Sequence, residues 1–353
     1  MNEKIRHLRE KLKSLNLDGM IVSNPVSIKY LTNIDLEGLL LITRKENIFL
    51  TYSMYLEMVK ATVTINDEVI VADFKEIGNE EYESFFLFCE NVGFEENYVT
   101  YKEYHYLKQK YKINNLTETE EIIEKLREVK DDDEIQNIRK ACEITDACFE
   151  YLKNFIKIGK TEKEIAFEIE MYFRSHGADG LAFDTIVAIG ENAANPHWVP
   201  GDKQVQMADL ILIDMGCKYN GYSSDMTRVM FMGCILEEYK PVYDLVLKNL
   251  EIAETSSKEY ASIKTISQMV ESDLKINNYT LIHALGHGVG AQTHERPYIN
   301  AKNETFLKEN MVIAIEPGVY LPGRYGIRIE DTILVTKNGC EVLTKSPKTY
   351  TVI

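Results

Sequence analysis

The sequence lacks several features that would place it in a specialised class of protein. Its 353 residues include one tryptophan and eight prolines, and no uninterrupted apolar run approaches the roughly 18 residues that a membrane-spanning helix needs. The six cysteines are scattered without a Cys-x-x-Cys pair, so neither a zinc knuckle nor a disulfide framework is indicated. The opening MNEKIRHLREKLKS is charged and has no signal-peptide apolar core. We therefore expect a cytoplasmic protein without a membrane partner.

Positive charge is also in short supply. The chain has 40 lysines and arginines against 56 aspartates and glutamates, which gives a net charge of -16. Nucleic acids and anionic membranes are both bound through a basic face that neutralises phosphates. We therefore expect no nucleic-acid partner. The length suits two domains better than one.

Strand-like runs alternate with helical patterns through the first third of the chain. The runs lie at 20–22, 39–43, 48–51 and 68–72, and a helical segment lies near 82–91. This alternation predicts a small α/β domain over residues 1–118. Residues 119–133 are dense in charge and are predicted to form a linking helix with an acidic patch. We interpret that patch as complementing a helix dipole rather than as a binding tail.

Residues 134–353 contain one order of elements twice. The first round is predicted as helices at 134–156 and after the capping box Thr161–Glu164, then strands at 184–189, 209–215 and 223–232. The second is predicted as helices at 236–256 and 263–275, then strands at 280–284, 311–316 and 326–336. Each round has an apolar strand ending in an acid, LILIDMG or VIAIEPG, and a second acid follows in SSDMTR or RIEDTI. A duplicated half-domain would bring all four acids to one pseudo-twofold axis.

The dipeptide Asn220-Gly221 is a strong signal for a two-residue hairpin, because both central positions of a type I′ turn need a positive φ. A turn at this point places Asp225 opposite Gly216 and makes Asp214 its diagonal neighbour on the same face. The two backbones are then about 7–8 Å apart there, and the carboxylates can converge.

Glu316 and Glu330 form a second pair of the same kind. They are centred on Gly323 in the turn-like segment LPGRY. A symmetric loop with an odd number of residues would set the two glutamates directly opposite each other.

Carboxylates placed close together repel, and each raises the pKa of the other unless a cation lies between them. Four such groups cannot remain ionised and half-buried on apolar strands without compensation. The alternative is that each acid caps a turn or pairs with an arginine such as Arg228 or Arg328. For a single acid the two interpretations have equal weight. The matched spacing of all four favours metal ligands.

Three histidines fall in the segment HALGHGVGAQTHERP, as His283, His287 and His294. The glycines around His287 would let the backbone approach a bound ion or substrate closely. Four carboxylates and one imidazole favour hard or borderline divalent ions. The natural chemistry of two such ions that share carboxylate ligands is hydrolysis.

Five motifs in this order resemble those of the proline-specific metallopeptidases, the Xaa-Pro dipeptidases (prolidases) and aminopeptidases P. The motifs are D-x-G…G-Y-x-x-D-x-T-R (214–228), H-x-x-G-H-G-x-G (283–290), H-E-x-P (294–297), E-P-G (316–318) and G-I-R-I-E-D (326–331). The segment RHLREKLKSLNLDGMIVSNPVSIKYLTNI is similar to the creatinase-type amino-terminal domain of these enzymes. The resemblance covers essentially the whole chain. It implies an α/β protein in which residues 134–353 form a pita-bread catalytic domain.

The resemblance implies a role for each ligand position. Asp214 would chelate a first ion, and Asp225 and Glu330 would bridge both ions. His287 and Glu316 would complete the shell of the second ion. Glu316 would also take a proton from the attacking water and pass it to the leaving amine.

Further site residues follow from the same resemblance. His197, at the end of FDTIVAIGENAANPH, would bind substrate or steady the tetrahedral intermediate together with His283 and His294. Arg328 precedes Glu330 by two residues and so points to the same side. It is a candidate for ordering the site or for meeting a substrate carboxylate.

The implied activity is hydrolysis of the bond before proline in a small peptide, with release of the amino-terminal residue. The implied cofactors are two divalent ions, preferably manganese, with cobalt or zinc as alternatives, and the implied assembly is a homodimer. Dipeptidase and aminopeptidase P activity both remain open, and the compact length favours the dipeptidase.

Three other readings are less favoured. A non-catalytic peptide-binding module on the same fold would have lost metal ligands, whereas all five positions are filled here. A metal-free relative such as creatinase is disfavoured for the same reason. Methionine aminopeptidases generally lack the amino-terminal domain.

Overall fold

The computed structural model describes residues 3–62, 69–75 and 85–353. The chain divides into two compact units, residues 1–126 and 127–353. Among the described residues, no helix combines the length and the apolar character that crossing a membrane would require.

The first unit is built on one mixed sheet with the strand order β4-β3-β2-β1-β5-β6. Its strands are β1 Gly19–Val22, β2 Leu39–Thr43, β3 Asn47–Thr51, β4 Val69–Asp73, β5 Asn91–Phe94 and β6 Asn115–Glu118. Its helices are α1 Glu3–Ser14, α2 Pro25–Thr32, α3 Leu56–Thr62, α4 Tyr101–Lys110 and α5 Ile122–Arg127, with a 3₁₀ turn at Ser53–Tyr55. Side chains alternate across the central strand: Met20 and Val22 enter one apolar cluster and Ile21 enters the other.

The predicted strands at 20–22, 39–43 and 48–51 are confirmed, and the run at 68–72 forms a strand from Val69 onward. The predicted helix near 82–91 begins outside the described residues, and its described part is a turn followed by the first residue of β5. There the helix prediction is wrong. The apolar pattern instead reflects tertiary packing, since Phe86 is buried and lies edge-on to Tyr111 at 6.0 Å.

The second unit holds four longer helices, α6 Asp132–Phe155, α7 Glu162–Ser175, α8 Lys240–Ser256 and α9 Ile263–Ile276, and a 3₁₀ turn at Gly190–Ala194. Its first strands are β7 Gly180–Leu181, β8 Ile186–Ile189, β9 Leu210–Met215, β10 Cys217–Tyr219, β11 Tyr222–Ser223 and β12 Met226–Phe231. They are followed by β13 Gly286–Gly288, β14 Glu295–Ile299, β15 Val312–Ile315, β16 Gly318–Leu321, β17 Tyr325–Arg328, β18 Asp331–Thr336, β19 Gly339–Val342 and β20 Thr351–Val352.

Two sheets, antiparallel except where β20 pairs with β12 in parallel, carry the repeated order that the sequence predicts. One sheet runs β20-β12-β9-β8 and the other β14-β13-β15-β18-β19. The pair α6 and α7 packs with the first sheet around one apolar cluster, and α8 and α9 pack around a second cluster that includes residues of both sheets. The two rounds therefore each contribute two helices and a set of antiparallel strands.

Two features of the predicted second unit are corrected. Residues 280–284 form a loop, and the strand in this region begins only at Gly286. The predicted strands 223–232 and 326–336 are each interrupted, the first at Ser224-Asp225 and the second at Ile329-Glu330. Each interruption contains one of the predicted acidic ligands.

The predicted capping box at Thr161–Glu164 is confirmed, and a second capping box occurs at the start of α6. Asp131 and Glu134 form a reciprocal capping box at the start of α6, and Thr161 and Glu164 form another at the start of α7. The acidic patch thus includes the cap and first turn of α6, where negative charge complements the helix dipole.

A buried ion cluster ties the chain ahead of α6 to β14. The side chains of Arg127, Lys130 and Glu295 are at most 3% exposed. Glu295 accepts a hydrogen bond from Arg127, and its Oε1 lies 2.9 Å from Lys130 Nζ. Burial raises the pKa of Glu295, but Lys130 and Arg127 outweigh burial and hold it below the usual value. Glu295 directly follows His294 in the chain, so this cluster also holds the backbone next to a predicted site residue.

Replacing Glu295 by Gln removes the carboxylate that both buried cations share, and we expect the free energy of unfolding to fall by about 3–5 kcal/mol. Urea unfolding followed by the fluorescence of Trp198, the single tryptophan, reports on this unit. The control is Glu238→Gln, which breaks an ion pair with Arg324 whose side chains are 58% and 48% exposed. The control should lose no more than about 1 kcal/mol. Equal losses in the two variants would contradict the assignment.

Candidate metal centre and active site

The first acidic ribbon has the predicted register. Asn220 and Gly221 have φ values of 49° and 82°, as a type I′ turn requires. On either side of the interruption, Ser223 pairs with Lys218 and Thr227 pairs with Asp214. Asp214 therefore lies one residue before the end of a fully buried strand, and Asp225 lies in the gap of the strand opposite.

The second acidic ribbon has the predicted symmetry about Gly323. Arg328 pairs with Gly318 in the outer ladder, and Asp331 pairs with Ile315 in the inner ladder. Glu316 and Glu330 fall between these two ladders and face each other in the same register. The sequence prediction for this pair is thus confirmed.

The five predicted ligands converge. They fall into groups of three residues whose donor atoms all lie within 4.8 Å of one another. Among the described residues, three such groups occur: Asp214, Asp225 and Glu330; His287, Glu316 and Glu330; and Asp225, His287 and His294. Asp225, His287 and Glu330 each belong to two groups. Two adjoining sites that share carboxylates would have this arrangement.

The carboxylates are buried and oppose one another's ionisation. Asp225 and Glu330 are 3% and 2% exposed. Burial raises the pKa of Asp225 well above its usual value, and the charges of Glu330, Asp214 and Glu316 raise it further. The pKa of Glu330 is raised in the same way, by burial first and then by Asp214 and Glu316. Burial, with a contribution from Asp214, raises the pKa of Glu316 to about 7.

The alternative interpretation, in which each acid pairs with an arginine, holds for one of the four acids. Arg328 donates to Asp214 Oδ2 at 2.6 Å, so this acid has the kind of partner that the alternative interpretation invoked. Arg228 instead donates to Asp331 at 2.6 Å, which is not a predicted ligand. The second oxygen of Asp214, Oδ1, is buried and has no hydrogen-bond partner within the part of the chain that the structure describes. A buried acceptor of this kind, aimed at other carboxylates, suits a bound cation.

His287 has the orientation of a metal ligand. Its Nδ1 lies 3.1 Å from the carbonyl oxygen of Gly288, which can only accept a hydrogen bond, so Nδ1 carries the proton in the neutral ring. Its Nε2 then presents a lone pair and lies 3.6 Å from both Asp225 and Glu316. Burial first, and then His294, lower the pKa of His287 to about 4. A neutral ring nitrogen facing two carboxylates again suits an intervening cation.

The remaining predicted residues line the same cavity of about 220 Å³. Its walls are Phe183, Asp184, Ile186, Pro196, His197, Asp214, Asp225, His283, His287, His294, Glu316, Arg328 and Glu330. His283 Nε2 lies 2.9 Å from Tyr320 Oη, and burial lowers its pKa to about 4. The structure therefore brings all nine predicted site residues to one place.

Arg328 is almost fully committed to ordering the site. It is 2% exposed, and besides Asp214 it donates to Thr227 Oγ1 at 3.0 Å and to Tyr320 Oη at 2.9 Å. Burial lowers the pKa of Arg328, but Tyr320 and the surrounding carboxylates outweigh burial and raise it well above the usual value. These contacts favour the ordering role over direct contact with a substrate carboxylate.

Sequence reasoning missed two polar residues in this site. Thr227 donates to Glu330 Oε2 at 2.6 Å, and Tyr320 contacts both Arg328 and His283. Both had a signal in the sequence. Thr227 faces Asp214 in the register set by the turn, and Tyr320 is four residues after Glu316, an even spacing that favours the same face of an extended chain.

Binding of divalent cations to the metal-free protein should release protons. Carboxyl groups with raised pKa values retain protons near neutral pH, and a cation displaces them, so affinity should rise with pH up to and through about 7. Calorimetric titration with manganese chloride at pH 6, in two buffers of different ionisation enthalpy, measures the number of protons released. Glu316→Gln should release fewer. Identical heats in both buffers would contradict the arrangement.

Comparison with known proteins follows the same division of the chain. The model of metallopeptidase family M24 matches residues 136–337, and the model of the creatinase/prolidase N-terminal domain matches residues 4–129. The chain is similar to the Xaa-Pro dipeptidase of Pyrococcus furiosus, with 34% identity over 99% of each chain.

Solved structures give the same result. A Xaa-Pro dipeptidase from Bacillus anthracis is 32% identical, with a TM-score of 0.93 over 99% of both chains. An X-Pro aminopeptidase from Thermotoga maritima is 31% identical, with a TM-score of 0.89 over 98% of this chain and 100% of that one. The present chain is therefore a metallopeptidase with the pita-bread fold, belonging to family M24 and carrying a creatinase/prolidase-type amino-terminal domain.

Proposed function

We propose that this protein is a Xaa-Pro dipeptidase that uses two divalent ions to hydrolyse the peptide bond before proline. The observation that carries the proposal is the convergence of five acidic and imidazole donors on one small cavity that three further histidines line. Similarity over the whole chain to dipeptidases from Pyrococcus furiosus and Bacillus anthracis supports the substrate class.

The donor groups support an assignment of the ligands to two ions. Asp214, Asp225 and Glu330 would hold one ion, and His287, Glu316 and Glu330 would hold the other. Asp225, which is also grouped with His287, would bridge both ions together with Glu330. The oxygen-rich set favours manganese, with cobalt or zinc as alternatives. When bound, such ions supply positive charge that activates water and polarises the scissile carbonyl.

Glu316 is the proposed general base and acid. It lies at the cavity wall with a side chain 20% exposed, where its carboxylate can reach a water molecule in the cavity. In this role its carboxylate takes a proton from the attacking water and then delivers it to the nitrogen of the leaving proline.

The histidines and Arg328 prepare the rest of the cavity. His197, His283 and His294 line the cavity, and in this proposal they contact the substrate, with His197 and His294 as the donors to the oxyanion that forms at the scissile carbonyl. Nδ1 of His283 donates to the carbonyl oxygen of Ala284 at 2.7 Å, so in the neutral ring its Nε2 can only accept a hydrogen bond. Arg328 lies in the cavity wall and fixes the orientation of Asp214 by donating a hydrogen bond to its carboxylate.

The size of the cavity favours a dipeptide substrate. Its volume of about 220 Å³ is below the roughly 300–1,000 Å³ of pockets for drug-sized ligands. A second candidate, Xaa-Pro aminopeptidase activity on longer peptides, is supported by the similarity to the Thermotoga maritima enzyme.

Two further predictions belong to this proposal. All six cysteines are free, which suits the predicted cytoplasmic location, because disulfides are rare in reducing compartments. The predicted homodimer rests on the family resemblance.

Replacing Asp225 by Asn should abolish proline release from Ala-Pro, because the change removes charge from a ligand shared by both ions. The metal-free variant should be at least as stable to heat as the metal-free wild type, since one repelling carboxylate is gone. Thermal unfolding and a proline assay measure the two effects. Asp132→Asn, on an exposed residue of α6, is the matched control and should remain active. Turnover by Asp225→Asn at the wild-type rate would contradict the assignment of Asp225 as a metal ligand.

The manganese-loaded enzyme should hydrolyse Ala-Pro with a higher kcat/KM than Ala-Pro-Ala, because the small cavity leaves little room beyond proline. Chromatographic measurement of released alanine compares the two substrates directly. Faster cleavage of the tripeptide would assign the protein as an aminopeptidase. If neither peptide is cleaved, the proposed function fails.

A further inference from the structure

We infer that Glu162, on the first turn of α7, is a positioning residue that holds His197 at the cavity. The inference rests on the proposed role of His197 in substrate binding. His197 lies on a segment defined here as the histidine loop, residues 190–201, which has a 3₁₀ turn at its start and no regular structure afterwards. The placement of His197 therefore depends on what anchors this loop.

The Glu162 side chain makes four hydrogen bonds to the histidine loop and its edge. The residue is fully buried. Its Oε1 accepts from Ile189 N and Asn192 Nδ2, and its Oε2 accepts from Trp198 Nε1 and Gly201 N, all at 2.8 Å.

These bonds bracket His197 along the chain. Oε1 anchors the residues that enter the loop, and Oε2 anchors the residue directly after His197 and the end of the loop. A single carboxylate therefore fixes both halves of the loop to the start of α7. On the other side, the carbonyl of Pro196 lies 3.5 Å from Arg328 Nη1, which links the loop to the arginine that binds Asp214.

The chemistry of the contact requires a carboxylate. All four partners are N–H donors, so the group acts solely as an acceptor, as an ionised carboxyl does. The start of α7 also favours negative charge through the helix dipole. A glutamine of the same shape keeps one oxygen but turns an NH₂ group toward two donors, which leaves buried donors unsatisfied.

The consequence for activity follows from the precision that catalysis demands. Displacing a substrate-binding group by about 1 Å can lower the rate about 100-fold. The side chain of His197 is itself exposed, so the anchored backbone is the main constraint on its position. His197 lies near His283 and His294, whose pKa values are lowered by burial first and also by His197.

The first test compares Glu162→Gln with Glu164→Gln in the manganese-loaded enzyme. We expect Glu162→Gln to lower kcat/KM for Ala-Pro by roughly 10- to 100-fold while metal content is retained. Glu164 lies on the same helical turn but serves the capping box with Thr161, so Glu164→Gln controls for loosening of the helix start. Equal losses in both variants would overturn the inference.

The second test separates positioning from general stability with a double-mutant cycle. If Glu162 acts through His197, adding Glu162→Gln to His197→Ala should change kcat/KM by no more than about twofold. Full additivity of the two losses would overturn the inference. Asn192→Ala, which removes one of the four contacts, provides a milder variant should Glu162→Gln fold poorly. Its effect should likewise vanish in the His197→Ala background.

The third test does not depend on activity. Trp198 is the single tryptophan, and its indole N–H bonds to Glu162, so its fluorescence reports on the loop directly. We expect acrylamide to quench Trp198 more strongly in Glu162→Gln than in the wild type or in Glu164→Gln. Unchanged quenching would overturn the inference. If the wild-type enzyme cleaves no Xaa-Pro peptide, the proposed function fails while this test still decides whether Glu162 holds the loop.

Discussion

Repulsion among buried carboxylates is the constraint on which the rest of this structure depends. Asp225 and Glu330 are almost fully buried, and each opposes the ionisation of the other. Within the described ranges, Asp214 is the only one of the four converging acids whose side chain has an arginine partner. Apolar strands end at this cluster rather than avoiding it, so the fold brings together charges that divalent cations can neutralise. Binding of those cations and the hydrolytic chemistry of the family are two results of one electrostatic arrangement.

The protein separates charges that serve the cavity from charges that hold the fold. Glu330 and Asp331 are adjacent in sequence, yet Glu330 lies in the cavity wall whereas Asp331 pairs with Arg228 and Lys348. Glu295 likewise pairs with Arg127 and Lys130 beside His294, which lines the cavity. Ion pairing thus stabilises the elements that carry the site while leaving most of the site carboxylates available for metal.

Sequence reasoning found what local pattern determines. The turn at Asn220-Gly221 fixes the register that aligns Asp214 and Asp225, and symmetry about Gly323 fixes that of Glu316 and Glu330. The interruptions at Asp225 and Glu330 were missed because they depend on contacts between the two ribbons: Glu330 N donates to Thr227 O at 3.1 Å, and Thr332 Oγ1 donates to Asp225 O at 2.7 Å. The role of Glu162 was missed because its partners are 27 to 39 residues away and share no periodic pattern with it. The ligand roles themselves remain predictions that geometry supports.

The most direct test of this account is anomalous X-ray diffraction from crystals of the protein grown with manganese. The account predicts two adjoining peaks, one among Asp214, Asp225 and Glu330 and one among His287, Glu316 and Glu330, with Asp225 and Glu330 in contact with both. Manganese bound elsewhere on the protein, with these carboxylates unoccupied and hydrogen-bonded to one another, would contradict it.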